Sequence, residues 1–362
     1  MQTGRVLLIS GILLAAALAQ EPSATRRPGR VLTGWGGGKP DEVVPQAAAI
    51  GFSELIIHHD NAAVFARTIE LGRQHGIDVY AWMYLGDLPA WKKAFPDAEA
   101  PMQVMSAAEQ SALAALTADT SLGKSGYQYG GEPVRAGEVL MTPLLCLHDP
   151  RVLEAFTRQI DEILAVPGTA GIALDYVGYQ NYHTCYCPTS TRLLEAYQAE
   201  HPALPANVAR QRFSLESLVE FNRRLAAHAY ARRPEAKVIT HIYPVYLPEP
   251  LYGNRLDLDV CGQTAAWYFD PLWSEQKIRA YARVIAGEAK RYHARPEGAA
   301  MIGYYNAPGK FTVKSPERLR MELQAILDSG CTRVQVCSFG DVLRTPEAAA
   351  VFREFFGPAA TP

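Results

Sequence analysis

The most informative chemical group in this sequence is one acidic residue that ends an apolar run. Residues 169–174 read Thr-Ala-Gly-Ile-Ala-Leu, and Asp175 and Tyr176 follow directly. A carboxylate is seldom placed at the inner end of a buried strand unless it is paired or takes part in chemistry. We therefore predict a catalytic role for Asp175. The alternative is a structural carboxylate that binds backbone amides or an arginine.

Acid–base hydrolysis usually needs a second carboxylate opposite the first. Asp270 is the preferred partner, because it ends a Trp-Tyr-Phe-Asp run just beyond a predicted strand. Asp60, Asp341 and Glu249 follow other predicted strands and are rivals for this role. We expect Asp175 to act as nucleophile or base and one of these carboxylates as general acid. Their separation, and with it the stereochemical outcome, is left open.

Aromatic and imidazole side chains also follow the predicted strands. Indole and phenol rings stack on the apolar face of a sugar, and their polar tips bond to hydroxyl groups. The predicted substrate-binding residues are Trp35, His58, Asp60, Trp82, Tyr84, Tyr176, His241, Tyr243, Trp267 and Tyr304. In this set the three tryptophans would stack on sugar rings, whereas His241, Tyr176 and Tyr243 would form hydrogen bonds. Packing beneath the loops is the alternative for each ring.

Three consecutive residues, His58, His59 and Asp60, also suggest a metal site, because barrel metallohydrolases collect histidines at strand ends. Successive residues of a strand point to opposite faces, so His58 and His59 cannot both face a barrel interior. His183 or His241 would have to complete the site. We keep a metal-dependent hydrolase as the less favoured alternative and predict no catalytic metal and no cofactor. A serine nucleophile is not favoured, since no GxSxG turn is present.

Eight short apolar runs predict strands, and longer amphipathic runs between them predict helices. The predicted strands are 31–35, 54–59, 78–84, 171–176, 237–243, 258–262, 300–305 and 333–338. The predicted helices include 62–75, 151–164, 215–232, 275–292 and 316–329. Ser315 is a suitable N-cap for the last helix, and Gly330 follows its end.

Eight strands alternating with helices are the count of a (β/α)8 TIM barrel, which needs ~250 residues. Much of the surplus lies in an extended loop between strands three and four, residues 88–147, whose glycine-rich stretch 123–131 predicts a mobile loop over the barrel mouth. An open doubly wound sheet is the alternative. However, residues 34–38 have the form GxGGG and not GxGxxG. Because chemistry in this barrel belongs to the carboxyl ends of the strands, Asp175 is well placed.

The composition is that of a large folded protein. The chain has 362 residues, of which 48% are hydrophobic, and this is enough apolar mass to bury a core. Thirty-five basic and 37 acidic residues give a formal charge of −2, and no basic stripe stands out. Neither a nucleic acid nor an anionic membrane is therefore an expected partner.

The first residues have the three parts of a secretory signal peptide. Arg5 precedes a short apolar run, and the run ends in Ala17-Leu-Ala19. The run is shorter than the ~20 apolar residues that span a bilayer. We predict a signal peptide at 1–19, a lead at 20–30 and a single barrel domain at 31–358. The protein would be secreted or periplasmic, with no membrane contact after cleavage. The oligomeric state is left open.

The segment from Thr169 to Tyr179 resembles the "DGIHLDYIRY"-type fourth-strand segment of glycoside-hydrolase barrels. Asp175 occupies the position of an aspartate that is thought to be catalytic in that group. The stretch 183–190 is also similar to the "CYCPxC" stretch of bacterial barrel glycosidases, including the family 42 β-galactosidases. The resemblance covers the middle third of the chain, and it implies a (β/α)8 fold and action on a carbohydrate.

The cysteine-rich stretch of those glycosidases holds a structural zinc with four thiolates. Here Cys185 and Cys187 remain, Cys146 could be the earlier ligand, and Ser190 replaces the last cysteine. Since tetrahedral zinc usually has four protein ligands, three thiolates favour no metal. A disulfide from Cys146 to Cys185 or Cys187 is an alternative, provided that the Cα atoms lie within ~7 Å. The remaining cysteines should be buried small hydrophobes: Cys261, Cys331 and Cys337.

Together, the residues and the resemblance predict a secreted glycoside hydrolase, or a close relative, that acts on an oligo- or polysaccharide through paired carboxylates. A barrel that binds glycans without cleaving them is the alternative. It is suggested by the end of the fifth predicted strand, residues 240–243, which has no carboxylate where many barrel glycosidases carry a glutamate.

Overall fold

A closed barrel of parallel strands forms the centre of the molecule. The computed structural model describes residues 27–111, 143–181, 183–242, 255–268, 272–308 and 311–358. Eight strands in these residues pair in chain order, and the last pairs with the first. They are β1 (Val31–Gly36), β2 (Glu54–Ile57), β3 (Asp78–Tyr84), β4 (Gly171–Asp175), β5 (Lys237–Ile242), β6 (Val260–Ala266), β7 (Glu297–Gly303) and β8 (Arg333–Cys337). The predicted (β/α)8 fold is confirmed.

Helices cover the outside of the barrel. They are α1 (Pro40–Ile50), α2 (Ala62–His75), α3 (Leu88–Ala94), α4 (Pro150–Ala165), α5 (Pro188–Glu200), α6 (Ala206–Arg232), α7 (Glu275–Glu288), α8 (Pro316–Asp328), α9 (Phe339–Arg344) and α10 (Pro346–Phe356). Ser315 caps α8 as predicted, because its side chain accepts a hydrogen bond from the backbone N–H of Arg318 at 3.2 Å.

Among the strands, the largest difference from the prediction is in β6, which runs from Val260 to Ala266 and not over 258–262. Gln263 and Thr264 interrupt the apolar pattern, so the sequence pattern does not predict the second half of β6. Both side chains are nevertheless buried. The pairing with β7 shifts register between Thr264 and Ala266, which changes the alternation of inward and outward side chains near the mouth.

A buried ion pair lies toward the amino-terminal end of the barrel. Thr33 Oγ1 and Arg333 Nη1 both donate to Glu54 Oε2, at 2.5 and 2.7 Å. Arg333 Nη2 also donates to Glu297 Oε2 at 2.9 Å. These contacts join β1, β2, β7 and β8. These ionic contacts therefore stabilise the end of the barrel opposite the predicted catalytic residues.

The described parts of the long β3–β4 connection are held against the segment that follows Asp175. Gln103 is buried, and its Nε2 donates to Leu145 O at 3.1 Å and to Gly178 O at 2.9 Å. Its Oε1 accepts from the backbone N–H of Gln180 at 2.8 Å. One amide therefore joins both ends of the connection to the β4 loop. The predicted mobile stretch 123–131 lies outside the described residues.

The structure describes only a small part of the segment for which a signal peptide and a lead are predicted. Residues 1–26, which include the predicted signal peptide and most of the lead, lie outside the described residues. No helix among the described residues has both the length and the apolar character that are needed to cross a bilayer.

Closure of the barrel between β4 and β5 requires glycine at position 171. A Cβ atom at Gly171 would lie 1.9 Å from the carbonyl oxygen of Lys237, which is a backbone atom of the neighbouring strand. Gly171→Ala should therefore lower the free energy of unfolding by about 3 kcal/mol or more. Urea denaturation followed by circular dichroism measures this change.

Gly287→Ala is the matched control, because a Cβ there meets nothing within 4 Å. Gly287 lies in α7, where alanine is the better helix former, so this variant should be unchanged or more stable by up to about 1 kcal/mol. Equal stability of Gly171→Ala and Gly287→Ala would contradict the requirement for glycine at position 171.

Candidate active site

Asp175 is the last residue of β4 and lies at the carboxyl end of the barrel. Its Oδ1 accepts a hydrogen bond from the backbone N–H of Tyr176 at 3.0 Å and lies 3.4 Å from His241 Nδ1. Only 5% of its side chain is exposed. Tyr176 has φ 50°, a left-handed conformation that a non-glycine residue seldom adopts. Such strain of about 1–3 kcal/mol often marks a functional site.

His241 on β5 connects this carboxylate to β6. Its Nε2 lies 2.9 Å from Thr264 Oγ1, while its Nδ1 faces Asp175. An ionised carboxylate only accepts hydrogen bonds, so we assign the imidazole proton to Nδ1, and the threonine hydroxyl then donates to Nε2. The sequence reasoning missed Thr264, because the predicted sixth strand ends before it.

One side of the mouth is formed by rings on β1 and β3 and by the ring of His58, which directly follows β2. His58 stacks on Trp82 with 4.5 Å between ring centroids and an interplanar angle of 16°. Trp35 meets Trp82 edge-on at 5.4 Å and is 1% exposed. The indole nitrogens of both tryptophans are buried without a hydrogen-bond partner among the described residues. Two N–H donors therefore lie in the wall of the mouth.

The opposite side is built around Trp267, which follows β6. Its ring stacks on His241 at 5.8 Å between centroids and packs against Tyr268 at 4.5 Å. Beneath it, the fully buried Lys314 donates to Glu322 Oε2 at 2.6 Å and to Ala266 O at 3.2 Å. Burial lowers the pKa of Lys314. Only 6% of Trp267 is exposed. Its ring therefore holds the His241 imidazole in place and offers little open surface to a ligand.

Two tyrosines follow β7. Tyr305 faces the mouth, whereas its neighbour Tyr304 does not. Tyr305 Oη lies 2.9 Å from Cys337 Sγ on β8, and burial raises the pKa of Cys337 to about 12, with the Asp175 charge adding to the rise. Tyr304 is 1% exposed and packs toward Thr345. Tyr305 and Cys337 were not among the predicted site residues. Gly303 faces Trp267 and Tyr268. Because residues two apart in a strand share a face, this position of Gly303 would have indicated that Tyr305 faces the mouth as well.

The consecutive histidines diverge, as strand alternation predicts. His58 stacks on Trp82, whereas His59 Nδ1 bonds to Trp82 O at 3.2 Å and its Nε2 lies 3.1 Å from Gln159 Nε2. Gln159 Nε2 also donates to Asp87 Oδ2 at 2.7 Å. These contacts use both ring nitrogens of His59 and offer no support for a metal site that includes both histidines.

The other predicted residues are spread around the rim or lie beyond the described residues. Asp60 is exposed and its Oδ1 accepts from Asn61 N at 3.1 Å, while Asp341 pairs with Arg344 at 3.0 Å. Tyr84 meets Tyr176 edge-on at 6.4 Å. Tyr243, Glu249 and Asp270 lie outside the described residues. The pairing of Asp175 with Asp270 therefore stays a prediction.

The three cysteines of the middle segment converge, and all six cysteines of the chain are free thiols. The Sγ atoms of Cys146, Cys185 and Cys187 lie within 4.8 Å of one another. Among the described residues they are the one group of His, Cys, Asp or Glu side chains close enough to share a metal. Hydrogen bonding to Cys146 holds the pKa of Cys185 below its usual value. This cluster packs beside the β4 loop, apart from the mouth.

Several solved structures that share this barrel fold are glycoside hydrolases. The glycoside hydrolase domain of PgaB (BpsB) from Bordetella bronchiseptica superposes with a TM-score of 0.55 at 13% identity, over 91% of this chain and 99% of that domain. A β-galactosidase from Bacillus circulans sp. alkalophilus gives 0.59 at 13% identity, over 90% of this chain. An α-L-fucosidase from Paenibacillus thiaminolyticus gives 0.55 at 14% identity over the same share.

The chain has the fold of the glycoside hydrolase barrels. It spans 56% of the β-galactosidase and 48% of the fucosidase. No family model and no curated protein matches the sequence. Identities of 10–14% establish the fold alone, and they confirm the resemblance at that level.

The contacts of His59 predict a pH dependence of stability. Burial lowers the pKa of His59 from its usual 6.5, so the unfolded chain binds the proton first as the pH falls. The stability that comes from neutral His59 is complete above pH ~6.5 and is lost as the pH falls toward the folded-state value. His59→Gln cannot take up this proton. Its free energy of unfolding should therefore fall less steeply between pH ~6.5 and ~5 than that of the wild type.

Denaturant unfolding at several pH values tests this expectation, because each unit of pKa shift contributes at most about 1.4 kcal/mol. The slope is the quantity to compare, since the substitution also changes the stability at neutral pH. Parallel slopes for the two proteins would contradict the assignment of a neutral His59.

Proposed function

We propose that this protein is a secreted glycoside hydrolase that acts on an oligo- or polysaccharide through Asp175 and a second carboxylate. The observation that carries the proposal is the position of Asp175, at the carboxyl end of a barrel strand, beside His241 and among tryptophan and tyrosine rings. The shared fold with glycoside hydrolases supports the reaction class.

In this proposal Asp175 is the nucleophile or base. The Tyr176 N–H and the His241 imidazole both direct donors at Oδ1, so they stabilise the charged carboxylate and fix its orientation. Oδ2 has no hydrogen-bond partner among the described residues and is the atom left to attack carbon or to deprotonate water. Preorganised donors of this kind stabilise charge without reorganisation during the reaction.

The general acid is proposed to be Asp270, which follows β6 two residues beyond Tyr268. Because β6 lies two strands from β4 in the closed eight-strand barrel, a side chain after β6 can approach the substrate from a different direction than Asp175. A retaining enzyme would need the carboxyl groups ~5–5.5 Å apart, and an inverting one ~6.5–9.5 Å. Asp60, after β2, and Asp341, after β8, are the rivals within the described residues. The exposure of Asp60 and the ion pair between Asp341 and Arg344 make both of them weaker candidates.

The substrate is proposed to be a carbohydrate because the mouth combines apolar rings with unused donors. Trp82 presents an indole ring, and Trp35 and Trp82 each have a buried N–H without a partner among the described residues. Rings and single donors suit a polyhydroxylated ligand. Secretion is proposed from the signal-peptide pattern of residues 1–19.

A glycan-binding barrel without activity is the second candidate, and a specific contact favours it. Asp175 is 5% exposed and shares one oxygen with two donors, which is also the arrangement of a structural carboxylate. Both candidates require a carbohydrate in the same mouth. They differ only in whether the bond is cleaved.

Asp175→Asn separates the two candidates, because asparagine keeps the shape of the side chain and removes its charge. We expect hydrolysis of a glycan panel to fall by about 10²- to 10⁴-fold, while the binding of oligosaccharides changes little. Reducing-end release and calorimetry measure the two quantities. Wild-type binding without any hydrolysis would support the non-catalytic barrel.

Asp328→Asn is the matched control, since Asp328 is an exposed carboxylate at the carboxyl end of α8 that pairs with Arg279 and has no predicted role in the site. This variant should keep a catalytic rate within a few-fold of the wild type. Equal losses from Asp328→Asn and Asp175→Asn would show that the loss in Asp175→Asn is not specific to its position.

A further inference from the structure

One buried carboxylate on the outer side of the barrel binds two cationic side chains. Glu322 on α8 accepts from Lys314 Nζ through Oε2 and from Arg318 Nε through Oε1, each at 2.6 Å. The side chains of Glu322 and Lys314 have no exposed surface, and that of Arg318 is 21% exposed. These three residues are called the Glu322 cluster below.

Stability alone does not explain a cluster of charges in such a place. Each ion loses several kcal/mol of hydration on burial, and a buried ion pair often stabilises a fold no more than apolar side chains of the same volume would. A cation that is fixed by a carboxylate has a second property, because its remaining N–H groups point at defined acceptors. In the Glu322 cluster those acceptors belong to one loop.

The remaining donors hold both ends of the loop between β6 and α7. Lys314 Nζ donates to the carbonyl oxygen of Ala266, the last residue of β6, at 3.2 Å. Arg318 Nη2 donates to the carbonyl oxygen of Trp273, two residues before α7 begins. The register of β6 against β7 shifts just before Ala266, and a shift of this kind disrupts the hydrogen-bond ladder locally. Because Ala266 is 1% exposed, its carbonyl needs a donor from the protein, and Lys314 supplies one.

Trp267 lies in the part of this loop that is held on both sides. The carbonyl before it belongs to Ala266, and the carbonyl after it, that of Tyr268, accepts from the backbone N–H of Thr312 at 3.3 Å. The Trp267 ring stacks on the His241 imidazole, with 5.8 Å between centroids and 20° between the ring planes. A backbone fixed at both neighbours limits the positions that this ring can take, and a stacked ring limits the tilt of the imidazole.

We propose that Lys314 is a positioning residue for the candidate active site. By holding the carbonyl of Ala266, it keeps the Trp267 ring stacked on His241, and the imidazole then stays directed at Asp175, 3.4 Å away. Lys314 is buried on the outer side of β6 and acts only through these residues. The effect on the reaction rests on the proposed hydrolase function, whereas the effect on the position of His241 does not.

Lys314→Met is the variant that tests the proposal. Methionine keeps the unbranched apolar stem and removes the ammonium group, while Glu322 keeps Arg318 as its partner and is not left unpaired. Lys93→Met is the matched control, because the same substitution there removes an ammonium that also lies 2.6 Å from a glutamate, Glu162, on an exposed surface.

NMR of the full chain with labelled histidine measures the position of His241 without any substrate. An imidazole that stacks on an indole has its C–H protons shifted upfield by the ring current, and Trp267→Leu gives the values without that ring. We expect Lys314→Met to lose about half or more of this upfield shift, and Lys93→Met to keep it. Glu322→Gln keeps the shape of the anchor and should give a smaller change in the same direction, so it serves if Lys314→Met does not fold. Wild-type His241 signals in Lys314→Met, or in Glu322→Gln where Lys314→Met is unfolded, would overturn the proposal.

Hydrolysis kinetics test the consequence for the reaction. We expect kcat of Lys314→Met to fall by about 10-fold with KM within a few-fold of the wild type, because a small misplacement of catalytic groups slows the chemical step. A merely structural role would lower the melting temperature and leave kcat of the folded protein unchanged. Loss of hydrolysis in Asp175→Asn with an unchanged kcat in Lys314→Met would therefore overturn the role of Lys314 in the reaction. A wild-type protein that cleaves no glycan would count against the proposed function instead, and the His241 signals would still decide the role of Lys314.

Discussion

The contact between Asp175 and His241 is the interaction on which the candidate active site depends. A carboxylate with 5% exposure is costly to bury unless donors compensate for the water that it loses. Here the Tyr176 N–H and the His241 ring provide the compensation, and Thr264 holds the other ring nitrogen. Three consecutive parallel strands supply these groups, so the site exists only when β4, β5 and β6 are in register.

Two buried ion pairs stabilise the barrel without contacting Asp175. The Glu54–Arg333 pair lies toward the amino-terminal end of the barrel, and the Lys314–Glu322 pair supports the outer side of β6. The side chains that pack around Asp175 and His241 are aromatic rings instead. Rings lower the local dielectric, so a charge on Asp175 is screened less than it would be in water. Stacking of Trp267 on His241 also restrains the imidazole that contacts Asp175.

The barrel was predictable because its signals are local. Apolar runs, the Ser315 cap and the count of eight strands all derive from burial and backbone geometry. Asp175 was predictable for the same reason, since a charge that ends an apolar strand conflicts with burial. Thr264 was not predictable, because polar residues and a register shift hide the end of β6. Lys314 and Ala266 come together only in the folded chain, 48 residues apart in sequence.

The most direct measurement is a crystal structure of Asp175→Asn with an oligosaccharide that the wild-type protein binds. The account predicts a sugar ring in the mouth against Trp82, with the side chain of residue 175 at a glycosidic carbon or its attacking water. A second carboxylate should lie within ~5–9.5 Å of residue 175. A sugar bound elsewhere, or a mouth closed over residue 175 with no second acid nearby, would contradict it.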